Sequence, residues 1–177
     1  MSHDAPTSSD RLGALVQTDD GRYALRFERR LPRPATRAWQ ALTDPDRLAA
    51  WFPAVVAWDL RPGAELRFDP TPEQRRRYGL TDQDATFGRI TEVDPPHLLE
   101  HTWGAETLRW ELHDDAAGTC LLVFTNTFDD RGTAAPAGAG WHAGLEVLEA
   151  QVDDRPVDWS PFDRAEALSA RYETLAD

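Results

Sequence analysis

A chain of 177 residues, 41% apolar and 28% charged, is long enough for one globular domain with a sizeable core. Its formal net charge of −12 argues against nucleic acid or anionic membranes as partners, since both attract basic surface. All 19 basic residues are arginine, which excludes Schiff-base catalysis and the lysine-bearing phosphate loop together.

Residues 1–20 are polar, rich in Ser and Asp and aperiodic, and read as a mobile tail. They lack the basic start and apolar run of a secretory signal, and no stretch of the chain reaches the roughly 18 apolar residues of a membrane helix. The expected location is cytoplasmic, with no membrane insertion. Alternation over 23–29 puts Tyr23, Leu25 and Phe27 on one face of a strand. Pro34 suits the start of a short helix with Ala38, Trp39 and Leu42 on its apolar side. Asp44-Pro45 ends it and caps a second short helix, which carries Leu48, Trp51 and Phe52 to Pro53. Helices this short need tertiary packing to persist.

The pattern then turns to β. Ala54 to Leu60 and Ala64 to Phe68 flank the turn Arg61-Pro62-Gly63, and residues 70–84, with the cluster Arg75-Arg76-Arg77, read as a polar, solvated loop. Strands are expected over 87–93, 98–103, 108–113 and 119–128, joined by turns short enough to favour an antiparallel meander. Residues 134–152 form the longest helix, with Trp141, Leu145, Leu148 and Val152 on one face and His142, Glu146 and Glu149 on a polar one, His142 expected at the surface. Gly138, Gly140 and Gly144 cost that helix stability, which hints at close approach to another surface or at space left open. Ser160-Pro161-Phe162-Asp163 introduces a terminal helix, so 21–153 is read as the main domain and 154–177 as linker and helix. The order predicts an α+β fold: a bent antiparallel sheet of six or seven strands around a long C-terminal helix, with two short helices plugging one end.

The chemistry-bearing residues are few. His97 and His101, four apart on a strand, stand roughly 13 Å from one another, too far to share an ion, so no metal site is expected. The serines lie towards the chain ends, and Cys120, the only cysteine, sits in an apolar strand as an inert thiol. No catalytic set is evident; His101 and Asn126 are weak candidates, with an inward Arg89 or Arg109 as further polar groups. Seven tryptophans suit either an aromatic core or an apolar ligand.

The run Pro34-Ala35-Thr36-Arg37-Ala38-Trp39-Gln40-Ala41-Leu42-Thr43-Asp44-Pro45, followed by Leu48 and Trp51-Phe52, resembles the start of bacterial SRPBCC (START-like) proteins. The closest subgroup is the one named for homology to the activator of heat shock protein 90 ATPase. The stretch Phe87 to Leu99 with Trp103, and Gly140-Trp141-His142 through Leu145 and Leu148, match that subgroup's middle and long-helix patterns, so the resemblance covers roughly residues 23–153. It implies a helix-grip (birch-pollen-allergen-like) fold around an apolar cavity, with no shared cofactor; none is expected. The fold hosts lipid carriers, polyketide cyclases, hormone receptors and co-chaperone domains, so it does not dictate function. The expected activity is binding or carriage of a hydrophobic, aromatic, polyketide-like or lipid-like molecule, with Trp51, Phe52, Phe87, Trp103, Trp110, Trp141 and Leu145 lining the cavity and Trp51-Phe52 at its rim. The alternatives are a cyclase- or aromatase-like enzyme, and a co-chaperone-type module or homodimer using the terminal helix.

Overall fold

The computed structural model describes residues 11–177. Seven antiparallel strands form one sheet: β1 (Ala14–Gln17), β2 (Tyr23–Leu31), β3 (Glu65–Phe68), β4 (Thr86–Asp94), β5 (Leu98–Trp103), β6 (Glu106–Asp114) and β7 (Cys120–Phe128), in spatial order β1-β2-β7-β6-β5-β4-β3. One face of this sheet grips α4 (Ala134–Val152), and α1 (Ala35–Thr43) and α2 (Pro45–Leu48) follow β2 at one end. The fold is the expected helix grip. Register decides which side chains meet α4: Leu25, Phe27, Leu108, Trp110, Leu112, Leu122 and Phe124 are all buried on the inner face.

Three stretches depart from the expected elements, and the second short helix ends at Leu48, before Trp51 and Phe52. Residues 14–17, read as tail, add an edge strand paired with β2; residues 1–10 lie outside the described residues. Residues 54–60 form no strand; only Val55 bridges to Asp69, while Trp58 turns inward and donates its Nε1–H to the Leu42 carbonyl at 3.0 Å. Residues 70–84 hold a helix, α3 (Pro72–Tyr78), started by a capping box between Thr71 and Gln74 and closed by Gly79 in the left-handed region (φ 67°). The three arginines thus lie on an ordered helix, where Glu73 pairs with Arg76 and Arg77.

The last helix, α5 (Pro161–Ala176), is capped by the Ser160 hydroxyl, which accepts from the Asp163 N–H, and packs along α4. Its anchor is Tyr172, which is fully buried. Gly138 makes room for that ring: a Cβ there would stand 2.3 Å from Tyr172 Cδ1. The Tyr172 hydroxyl accepts from the Gly13 N–H (3.0 Å) and donates to His142 Nδ1 (2.8 Å), which leaves the His142 Nε2–H for Glu146 (3.2 Å). His142 is therefore buried, against the surface position its helical spacing suggests; α5 covers the polar face of α4.

Arg164 adds a two-pronged pair to Glu146 at 2.9 and 3.0 Å. Burial pushes the Glu146 carboxyl up, but the bonds from His142 and Arg164 outweigh it and hold the group at about 2, against an ordinary 4.5. Because the folded value is depressed, the stabilisation is complete above pH 4.5 and is lost as pH falls towards 2. Over that window the carboxylate accounts for at most about 3 kcal/mol. Glu146→Gln is expected to flatten the fall of the urea midpoint between pH 4.5 and 2; a fall parallel to wild type contradicts this assignment.

Candidate functional site

The space between α4 and the sheet is filled by aromatic rings. Trp110 stacks on Phe124 with centroids 3.8 Å apart, Trp141 packs edge-on against Phe124 at 4.9 Å, and Trp51 stands against Trp110 at 5.7 Å. Phe52 stacks on Trp103 (5.6 Å), which in turn stacks on Phe68 (4.3 Å). Each indole of this cluster has a partner for its N–H. Trp51 donates to the Ala41 carbonyl (3.0 Å), Trp103 to Thr86 Oγ1 (2.6 Å), Trp110 to His101 Nε2 (3.4 Å) and Trp141 to Asn126 Oδ1 (3.2 Å). Trp51 and Phe52 are 5% and 3% exposed, so the short helices plug the end of the sheet by filling it rather than by gating it.

Open space lies outside this cluster, on both sides of a strip made by Pro53 and Gly140. One side is a cleft of about 530 Å³ between the Trp51–Pro53 turn, α3, Gly140 and the first turn of α5. Its lining includes Trp51, Phe52, Pro161 and Phe162, with Glu73, Arg76 and Arg77; the Arg77 guanidinium lies 5.0 Å over the Phe162 ring. The other side is a lobe of about 220 Å³, lined by Pro53, Trp103, Glu106, Pro136, Ala137, Gly140 and Trp141. The three glycines of α4 separate the two meanings their sequence leaves open. Gly138 admits Tyr172 and Gly144 lets the Trp51 backbone carbonyl approach, whereas a Cβ on Gly140 would meet no atom within 4 Å.

The structure distributes the sequence-derived candidates unevenly. Trp51, Phe52, Trp103 and Trp141 line one or other cavity, whereas Trp110 and Leu145 are fully buried behind them. Phe87 lies on the outer face, 60% exposed, under the Arg67 guanidinium. Arg109 also points outward and binds Glu92, Glu100 and Glu111, and exposed Arg89 faces Glu65. His101 and Asn126 share the inner face, but Leu108 stands between them in the register, so they do not converge. Cys120 is buried, and burial pushes its thiol up to about 11, which makes it unreactive.

Glu106 and Phe162 were not singled out by sequence. The signal for Glu106 was available: it continues the inward alternation Leu108, Trp110, Leu112 by one step, so a carboxylate falls at the edge of the aromatic face. Burial pushes its carboxyl above the ordinary range, while the Asn126 amide and Arg22 draw it partly back. Asn126 is fully buried, and since an indole is a donor only, Trp141 fixes the amide oxygen towards itself. The amide nitrogen then faces the Glu106 carboxylate closely enough to lower its pKa, but makes no direct hydrogen bond to it.

The family model for Activator of Hsp90 ATPase homolog 1-like protein matches residues 32–153. Among solved structures, CalU16 from Micromonospora echinospora is 20% identical with a TM-score of 0.66, over 94% of this chain and 96% of that one. The protein encoded by gene BPP1335 of Bordetella parapertussis is 30% identical with a TM-score of 0.66, over 85% of this chain and 84% of that one. DynU16, from the dynemicin biosynthetic locus, is 24% identical with a TM-score of 0.59, over 77% of this chain and 50% of that one. No curated protein matches.

His101 itself is locked as a neutral imidazole: Nδ1–H donates to the Thr102 carbonyl (3.2 Å) and Nε2 accepts from Trp110. Burial lowers its pKa from 6.5 to about 4, with the Thr102 bond pulling the other way. The folded state therefore holds fewer protons than the unfolded chain between those values, and stability falls as pH drops from 6.5 to 4. His101→Gln, which retains a donor and an acceptor, is expected to remove that slope in urea melts; an unchanged slope refutes the assignment.

Proposed function

We propose that this protein, which belongs to the Activator of Hsp90 ATPase homolog 1-like family, binds a hydrophobic small molecule in the cleft that straddles Pro53 and Gly140. The observation that carries the reading is Gly140. A glycine inside a helix costs about 1 kcal/mol relative to alanine, and here no neighbouring atom requires it. A vacant helix position between two cavities walled by Trp51, Phe52, Trp103 and Trp141 supports a body that occupies the space when bound. The larger cavity, about 530 Å³, is of the size that takes a drug-sized ligand, and its aromatic walls suit a planar or acyl body. Binding and carriage is favoured over turnover, because His101 is locked and Arg89 and Arg109 face outward.

Gly140→Leu tests this with little risk to folding, since leucine is the better helix former and its side chain projects into open space. Intrinsic tryptophan fluorescence, titrated with a panel of aromatic and lipid-like compounds, is expected to show saturable quenching by one class in the wild type. In Gly140→Leu that affinity is expected to fall at least tenfold, with a melting temperature equal to or above wild type. Equal affinity in the two proteins contradicts the cleft as the binding site.

A further inference from the structure

The smaller lobe carries a polar pair that the packing of the core leaves unused. Glu106 lines it among Pro53, Trp103, Ala137 and Trp141, and is the only charged side chain among the described residues that line it. Asn126 is the diagonal neighbour of Glu106 on the same sheet face: Thr107 pairs with Thr127 and Leu108 with Asn126, so the two stand on either side of the Thr107–Thr127 pair, with Asn126 behind the lobe's wall. The Trp141 indole holds the Asn126 oxygen, so the amide turns its buried N–H groups towards Glu106 without a direct hydrogen bond to it. A buried donor left without an acceptor is costly, about 1–3 kcal/mol, and is normally met by something.

Resting on the cleft reading above, we propose that the ligand is an aromatic hydroxyl compound, with its ring against Trp103 and Trp141 and its hydroxyl placed between Glu106 and Asn126. The two partners match that group specifically. A carboxylate accepts the O–H, and an amide N–H donates to the same oxygen, so a phenol or enol satisfies both at once. A carboxylate or phosphate ligand would instead meet the like charge of Glu106 in an apolar setting. A plain hydrocarbon would leave both groups without partners. Glu106 is the contact residue; Asn126, itself fixed by Trp141, sets the direction from which the oxygen is met.

Calorimetric titration with 2-naphthol and with naphthalene tests the pairing. A purely apolar lobe favours naphthalene, because the hydroxyl must be stripped of water. The proposal expects the wild type to prefer 2-naphthol at least tenfold. In Glu106→Leu that preference is expected to fall to twofold or less, with naphthalene affinity kept within about threefold of wild type. Glu106→Gln, which keeps an acceptor oxygen, is expected to retain most of the preference, separating hydrogen bonding from any general effect on folding. Equal binding of both probes by wild type, or a preference that survives Glu106→Leu, overturns this inference and leaves the cleft reading standing. Binding of neither probe, by wild type whose fluorescence also answers no other compound, overturns both.

Discussion

A buried indole must find an acceptor for its N–H, and that demand arranges the elements around the sheet. Four of the tryptophans in or against the core, Trp51, Trp58, Trp110 and Trp141, each meet it with an acceptor from elsewhere in the chain. Trp51 and Trp58 donate to the carbonyls of Ala41 and Leu42, which belong to the last turn of α1 and have no partner within that helix. A helix of nine residues followed by one of four is thus finished by side chains arriving from the chain beyond it. Trp110 takes the ring nitrogen of His101 and Trp141 the oxygen of Asn126, so the two polar residues most open to a catalytic reading are engaged by the core. The consequence for function is direct: the grip is filled from within, and open room is found where α4 turns a glycine outward.

Much of the fold is legible in the sequence because its periodicities are long and clean. The alternation of β2, the four later strands and the nineteen-residue helix α4 fall where the pattern puts them. The misreadings have physical causes. Residues 54–60 are a short apolar run like a buried strand, but Trp58 is pulled inward to an acceptor on α1. The segment 70–84 is polar throughout, yet Thr71, Pro72 and Gln74 spell a helix start that composition conceals. His142 sits on the polar side of α4 by spacing alone; only the docking of α5, through Tyr172 on Gly138, buries it.

The candidate site was less legible than the fold. Of the residues the sequence offered for a cavity, Trp51 and Phe52 line the cleft and Trp103 and Trp141 the smaller lobe, but Trp110 and Leu145 share their pattern and lie behind them. Spacing gives the face of an element and not its depth. Phe87 follows the same β pattern as Val93 and faces outward, because a bulge between Ile90 and Glu92 shifts the alternation of β4 and leaves Phe87 on the face opposite Ile90. Gly140 was readable only as one of three costly glycines; the difference between a glycine that admits a ring and one that leaves room appears when the neighbours are in place.

The most direct test of this account uses the indole N–H resonances in a nitrogen–proton correlation spectrum during titration with 2-naphthol. Trp103 and Trp141, which line the smaller lobe, are expected to shift progressively and saturably. Trp110, stacked 3.8 Å from Phe124 behind them, is expected to hold its position. Large early shifts at Trp110, with Trp103 and Trp141 unmoved, would place the ligand inside the grip and contradict the filled core as the basis of the site.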